Sequence, residues 1–323
     1  MTYEQQLASI AAADERLIIM TAENRAAIRN LPALLGDRFI DVGIAEQTMI
    51  GSAAGLALRG RVVVVHALAA FLTMRAFEFI RTDVGIADLP VIMVGGVAGI
   101  LSDGNGPTHQ AIEDVSIMRG IPNVNVFCPA DARDLEIGLP YIIASGHPCY
   151  IRYTNAPATV AHNDSFRMGK SEVVHGPAQG LRDVTILTYG TMMQYAVEAA
   201  SMLEAEGICV QVSNMRTLKP IDTQRILESS QTSDLVVTLE DHFRTGGLYS
   251  IVAETLLDHA LTVHVLPISF GDRWFRPGRL DEVLVHHELT GIAIARRILT
   301  ALEHFPIIAP AEPLLESNDV TQY

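Results

Sequence analysis

A chain of 323 residues has length for about two domains and for a large buried core. Hydrophobic residues are 49% and aromatics only 6%, so that core is aliphatic; a net charge of −14 without any basic stripe argues against a nucleic-acid or anionic-membrane surface. Cys128, Cys149 and Cys209 lack CxxC spacing and read as small buried apolar residues in a reducing compartment, not as a disulfide frame or a metal site.

In chain order, residues 16–20 read as a first buried strand and 46–58 as a helix with small residues on several faces. The valines of 62–66 make a second strand, 72–84 has helical spacing, and 91–94 and 124–127 are further strands. Residues 131–144 read as a helix that Pro140 kinks or divides, and 150–153 as a fifth strand. Continuous rather than alternating apolar strands predict a parallel sheet covered on both faces. The pattern lapses over 156–182, where Pro157, Gly169, Gly176, Pro177 and Gly180 suggest a linker. A second series follows, with strands at 184–189, 209–213, 235–239 and 262–268 and helices at 192–206, 223–229, 248–259 and 289–302. The expected organisation is α/β with two domains, 1–155 and 183–308, each a mainly parallel sheet flanked by helices, and a tail at 309–323. The first residues carry no basic segment followed by an apolar one. The longest apolar run, 89–101, falls short of the ~20 residues of a spanning helix. A soluble cytoplasmic protein is expected.

The most informative segment is 92–122. An apolar strand ends in glycines, a loop of Gly, Asp and Asn follows, and Thr108-His109-Gln110 leads into Glu113-Asp114 and a helix. A His just past the C-terminal end of a parallel strand sits where open α/β sheets bind ligands. Upstream, Asp41-Val42-Gly43-Ile44-Ala45-Glu46-Gln47 places a carboxylate in the first turn of a helix, with Ile44, Ala45, Met49, Ile50 and Ala53 around it. A Glu there is also what the helix dipole alone favours, so the residue by itself does not decide.

Together, the segments 38–47, 55–60, 71–81 and 103–114 resemble, in order and spacing, the pyrimidine-binding half of the transketolase family of thiamine diphosphate enzymes. Gly43-Ile44-Ala45-Glu46-Gln47 is similar to the form found in 1-deoxyxylulose-5-phosphate synthases. The resemblance covers nearly the whole chain. It implies that Glu46 is the cofactor-activating acid, hydrogen-bonding the pyrimidine nitrogen N1′, and that His109 is a second catalytic residue, which binds donor hydroxyls and moves protons. An imidazole suits that work because it changes charge near neutral pH. The resemblance further implies a cofactor pocket of Ile44, Glu46, Leu68, Phe71, Arg75 and Phe77, with Phe71 as the aromatic wall. Asp103, Asn105, His109 and Arg152 would be the substrate-binding residues, Arg152 facing a phosphate or, alternatively, closing a strand-end salt bridge.

Two departures bear on the substrate. Asn105 stands where sugar transketolases carry an Asp, and Val97 where they carry a His near the acceptor phosphate. The family's Gly-Asp-Gly with a later Asn, which holds Mg²⁺ and the diphosphate, has no counterpart: Gly36-Asp37-Arg38 and Ser102-Asp103-Gly104 lack the continuation. The expectation is a split transketolase. A transketolase N-terminal-section subunit would bring Mg²⁺ and the diphosphate site, and this chain, a homodimer within an α2β2 heterotetramer, would bring Glu46 and no metal ligand. It would transfer a two-carbon ketol unit from a ketose to an aldehyde. The competing readings are a 1-deoxyxylulose-5-phosphate synthase-like subunit, the β subunit of a 2-oxoacid dehydrogenase, and a non-catalytic assembly subunit.

Overall fold

The computed structural model describes residues 1–102, 104–274 and 276–304. Among them, the strands are β1 (Leu17–Thr21), β2 (Phe39–Asp41), β3 (Val62–Leu68), β4 (Val91–Gly96), β5 (Asn125–Phe127), β6 (Cys149–Arg152), β7 (Glu172–His175), β8 (Arg182–Thr188), β9 (Val210–Asn214), β10 (Thr217–Lys219), β11 (Ser233–Phe243) and β12 (Val265–Phe270). They form two sheets, ordered β10-β5-β6-β4-β3-β1-β2 and β12-β11-β8-β9-β7. Every pairing is parallel except the edge strands β10 on β5 and β7 on β9. The chain is α/β, with two domains of mainly parallel sheet flanked by helices.

The continuous apolar strands have the cause the sequence suggests. Successive side chains of a strand leave opposite faces of its sheet. Val63, Val65, Val91 and Met93 enter one core with Met49, Ile50 and Ala53 of the helix Glu46–Leu58. Val62, Val64, Ile92 and Val94 enter a second core with Leu7 of the helix Tyr3–Ala13 and Leu135 of the helix Ala132–Ala144. Leu187 and Val236 of the second sheet join the first of these cores, which therefore runs between the domains, while Val184, Ile186, Val210 and Val212 build a third.

Several elements depart from the sequence pattern. The segment expected as one helix at 72–84 is wide-turned: Phe71–Arg75 and Ile80–Gly85 are π-helical around a short α turn at Phe77–Phe79. Ile86 N–H donates to Arg81 O at 3.1 Å, five residues back. Such turns widen the helix at functional sites. The helix Ala132–Ala144 runs through Pro140 undivided. Proline frees the carbonyl four residues earlier, and Gln6 Nε2 donates to that oxygen, Glu136 O, at 2.6 Å. Residues 172–175, inside the expected linker, form the edge strand β7. β10, from the second half of the chain, completes the first sheet. Cys128 and Cys149 are buried, but Cys209 is exposed, contrary to the expectation of three buried thiols. The tail lies outside the described residues.

Candidate active site

The candidate site lies past the C-terminal ends of β2, β3 and β4. After β2, Asp41 Oδ1 accepts from the N–H groups of Gly43 (2.9 Å) and Glu23 (3.3 Å), and Arg25 Nε donates to Asp41 Oδ2 at 2.6 Å. This turn starts the helix Glu46–Leu58, and the Glu46 side chain is 2% exposed. Its neighbours are less apolar than the sequence suggests. Arg75 Nη1 donates to Glu46 Oε2 at 2.7 Å, and the same guanidinium lies 4.2 Å from the centroid of the Phe71 ring. Residues 71 and 75 share one face of their wide-turned helix, which is why the cation covers the ring. The Phe71 ring also meets the His109 imidazole edge-on, centroids 5.1 Å apart. Ala69, Ala70, Ala98 and Ala111 close the apolar side of Phe71.

His109 is held by a loop pinned at its base. Gly99 and Ala111 exchange backbone hydrogen bonds at 3.0 Å. A side chain at Gly99 has no room: a Cβ would stand 1.7 Å from Asp241 Oδ2. Gly106 (φ +68°) turns the tip against Pro277, where a Cβ would approach to 2.4 Å, and His109 N–H donates to Gly106 O at 3.0 Å. Thr108 Oγ1 shares a proton with His109 Nδ1 across 2.9 Å. Asn105 Nδ2 donates to Ser102 Oγ at 3.2 Å on the same loop.

The structure thus brings Glu46, Phe71, Arg75 and His109 into one chain of contacts. Leu68 ends β3 half-buried just before Phe71, Phe77 packs against the first core, and Ile44 is exposed at the surface. Asp103 lies outside the described residues. Arg152 forms the strand-end salt bridge that the sequence left open as the alternative to a phosphate contact. Its Nε donates to Asp114 Oδ2 at 2.9 Å, Nη1 pairs with Asp241 Oδ1, and Nη2 reaches Ala111 O at 3.2 Å. The side chain is 4% exposed. Burial works against its charge, but Asp114 and Asp241 override it and hold its pKa well above the ordinary value. In this structure its donors are taken up by two carboxylates and a backbone carbonyl. It fixes the base of the His109 loop to the second domain.

Two features escaped the sequence. Gln110 is fully buried, with neither amide atom hydrogen-bonded, a costly state that a ligand or water would relieve. Tyr3 hydroxyl and His66 Nε2 share a 2.6 Å hydrogen bond, and burial lowers the His66 pKa to about 4. No periodicity marks such pairs, whose members lie far apart in the chain. Among the described residues, no group of three or more His, Cys, Asp or Glu is placed to hold a metal ion, and no helix is long and apolar enough to cross a membrane.

A buried carboxylate joined through Arg75 to an aromatic ring, with an imidazole beside that ring, lies at the strand ends of an α/β sheet, where such sheets bind ligands. Comparison with known proteins identifies its family. Residues 1–158 match the family model "Transketolase, pyrimidine binding domain" and 177–294 match "Transketolase, C-terminal domain". The 6-deoxy-6-sulfo-D-fructose transketolase subunit SqwH of Clostridium sp. (strain MSTE9) is 39% identical over 259 residues, 79% of each chain. The 1-deoxy-D-xylulose-5-phosphate synthase of Dictyoglomus thermophilum is 38% identical over 272 residues, 83% of this chain but 43% of that protein. A solved split-gene transketolase, described as an inactive β4 tetramer, superposes with a TM-score of 0.84 at 33% identity, covering 94% of this chain and 98% of that one. The chain belongs to the transketolase family, whose relatives here are enzyme subunits, and the family's cofactor is thiamine diphosphate.

Proposed function

We propose that this chain is the C-terminal subunit of a split, thiamine diphosphate-dependent transketolase that moves a two-carbon ketol unit from a ketose to an aldehyde. A separate N-terminal-section subunit binds Mg²⁺ and the diphosphate, and two copies of each form the active α2β2 enzyme. One observation carries the reading. A flat, N–H-bearing group, the Arg75 guanidinium, already lies over Phe71 with an N–H on Glu46. These are the contacts an aminopyrimidine needs: an aromatic face and a carboxyl at its ring nitrogen. The relative described as a β4 tetramer is also described as inactive, which fits a chain that needs a partner.

When bound, thiamine diphosphate supplies a carbon acid that can take up and release the two-carbon unit. The chain's own residues orient it and manage protons. Glu46 would turn its carboxyl to N1′ of the pyrimidine, and its burial would keep water from competing. Phe71 fixes the plane of the ring, and Arg75 gives way to it. His109, edge-on to Phe71, holds or releases a proton at its imidazole near the substrate hydroxyls. Asn105, one turn earlier on the same loop, hydrogen-bonds the donor without charge.

Glu46→Gln keeps the volume and removes the acid. In the reconstituted complex, turnover falls by ~10²-fold or more, and C2–H exchange of the bound cofactor, followed by proton NMR, slows with it. An unchanged exchange rate removes Glu46 from this role. Titration calorimetry of the isolated chain with Mg²⁺ and thiamine diphosphate should show no tight binding, and tight Mg²⁺-dependent binding by this chain alone would contradict the split arrangement.

A further inference from the structure

The loop that carries His109 is held from the second domain, by consecutive residues at the end of β11. Asp241, which is 1% exposed, accepts from Arg152 Nη1 through Oδ1. The same guanidinium donates through Nη2 to Ala111 O at 3.2 Å. Asp241 Oδ2 occupies the space where Gly99 would carry a Cβ. Both sides of the loop's base, Gly99 and Ala111, therefore rest on one carboxylate. Phe243 N–H donates to Ile112 O at 2.9 Å. His242 Nε2 accepts from Ser116 N–H at 3.3 Å, in the first turn of the helix Asp114–Arg119, where backbone N–H groups have no partner within the helix. An imidazole nitrogen that accepts carries no proton, so His242 is neutral with its proton on Nδ1, where Phe243 O receives it. The loop's tip is held as well: Gly106 packs against Pro277, and Trp274 meets the Phe243 ring edge-on at 5.3 Å.

Glu46 depends on none of these contacts. Asp41 sets the turn before it and Arg75 pairs with its carboxylate, all within the first domain.

Adhesion between the domains does not call for a buried charge here. The apolar core that Val65 and Met93 share with Leu187 and Val236 already joins them, and a buried ion pair contributes little over apolar side chains of the same volume. What a charge-assisted pair adds is a fixed direction and length. In this chain it stands at the base of the loop that bears the imidazole proposed to move protons. Catalytic groups need such placement, since an error of about 1 Å can cost roughly 10²-fold in rate.

We propose that the second domain is part of the catalytic apparatus, with Asp241 as the positioning residue that, together with His242 and Phe243, fixes where His109 stands beside Phe71. The proposal rests on the transketolase reading above. It goes beyond that reading by giving the second domain a part in proton handling at the donor hydroxyls and none in cofactor activation by Glu46.

The test measures two rates on the reconstituted complex: turnover, with L-erythrulose as ketose probe and D-glyceraldehyde as aldehyde probe, and C2–H exchange of bound thiamine diphosphate by proton NMR. Asp241→Ala leaves Arg152 its pair with Asp114. It should lower kcat about tenfold or more, with C2–H exchange within about twofold of wild type. Asp241→Asn keeps an acceptor for Arg152 and should recover much of the loss. Pro277→Gly acts at the exposed tip, where it disturbs no buried charge, and should lower kcat about two- to fivefold with the same split. It carries the test if Asp241→Ala does not fold. Deuterium exchange read by mass spectrometry should quicken at the amides of 105–112 in each variant and not at those of 46–58. Turnover and C2–H exchange falling together would reduce Asp241 to a support of the fold and overturn the proposal. Unchanged turnover, or unchanged loop exchange, in a folded variant would overturn it equally. A wild-type complex without C2–H exchange would instead defeat the transketolase reading. In that case, or if wild type does not turn over these probes, the loop amides decide the placement by themselves: quickening sustains it and an unchanged rate overturns it.

Discussion

Arg75 and Arg152 each pair with a carboxylate in the first domain, yet the Arg75 side chain is 39% exposed and that of Arg152 is 4% exposed. Arg75 comes from a wide-turned helix at the surface, has one ion-pair partner and stacks on Phe71. Arg152 ends a central strand and is enclosed by Asp114, Asp241 and the Ala111 carbonyl. Both occur in motifs that match ligand residues of the family. The difference teaches that a motif fixes which charge is present, while solvent access decides whether that charge can be offered to a ligand. An exposed guanidinium can swing into water when a ligand takes its place on the buried Glu46 carboxylate. A buried one cannot, since removing one partner leaves a desolvated charge.

The comparison is broken most severely at Arg152. Arg152→Leu should destabilise the chain by about 3–5 kcal/mol, because Asp114 and Asp241 are left buried without their cation, and Arg152→Lys should recover part of the loss. Urea denaturation reads this directly. A phosphate ligand would behave differently, raising KM for phosphorylated substrates with stability unchanged.

A second buried network sharpens the contrast through pH. His162 lies between Asp131 (2.9 Å) and Glu172 (2.8 Å), and Arg216 pairs with Glu172 and Asp134. Burial opposes the charge of His162, but its hydrogen bonds to Asp131 and Glu172 prevail and raise the pKa to about 9. A raised histidine pKa contributes stability that is complete below the unfolded value near 6.5 and is lost as pH rises through the folded value. Melting temperature should therefore fall between pH 6.5 and 9. Glu240, raised by burial to about 8, acts in the same direction. The difference between wild type and His162→Gln isolates the histidine: the variant's melting temperature should decline less over that window. An equal decline in both would mean that the network is not held by a charged imidazole.

The smallest effect is expected at Arg75. Arg75→Met removes a cation–π contact of about 0.5–1 kcal/mol over Phe71 and leaves the buried Glu46 without its cation, a place the proposed cofactor ring would then fill. The assembled complex should bind thiamine diphosphate about two- to fivefold more tightly. Weaker binding, measured by calorimetry, would mean that Arg75 supports the bound ring instead of yielding to it.

Much of this was legible in the chain itself. The valines of β3, the glycine-ended β4 and the helix behind Glu46 follow from period and composition, because a strand buried on both faces needs apolar side chains at every position. The helix Tyr3–Ala13 carries its own sequence signature: Thr2 and Gln5 form a capping box, visible as Thr followed three residues later by Gln. The motif order placed Glu46, Phe71 and His109 in one family, and in space they share one chain of contacts. The sequence determined which groups the protein has and along which strands they stand, since local periodicity reports burial and local turns report chain direction. Only the tertiary structure decided which groups meet. Arg152 found Asp241, 89 residues away, Tyr3 found His66, 63 residues away, and Arg75 settled over Phe71 rather than staying in solvent. Pairings of that separation leave no periodic trace, because they depend on where sheets and helices pack against one another, and that packing sets which charges are desolvated and which remain open to a ligand.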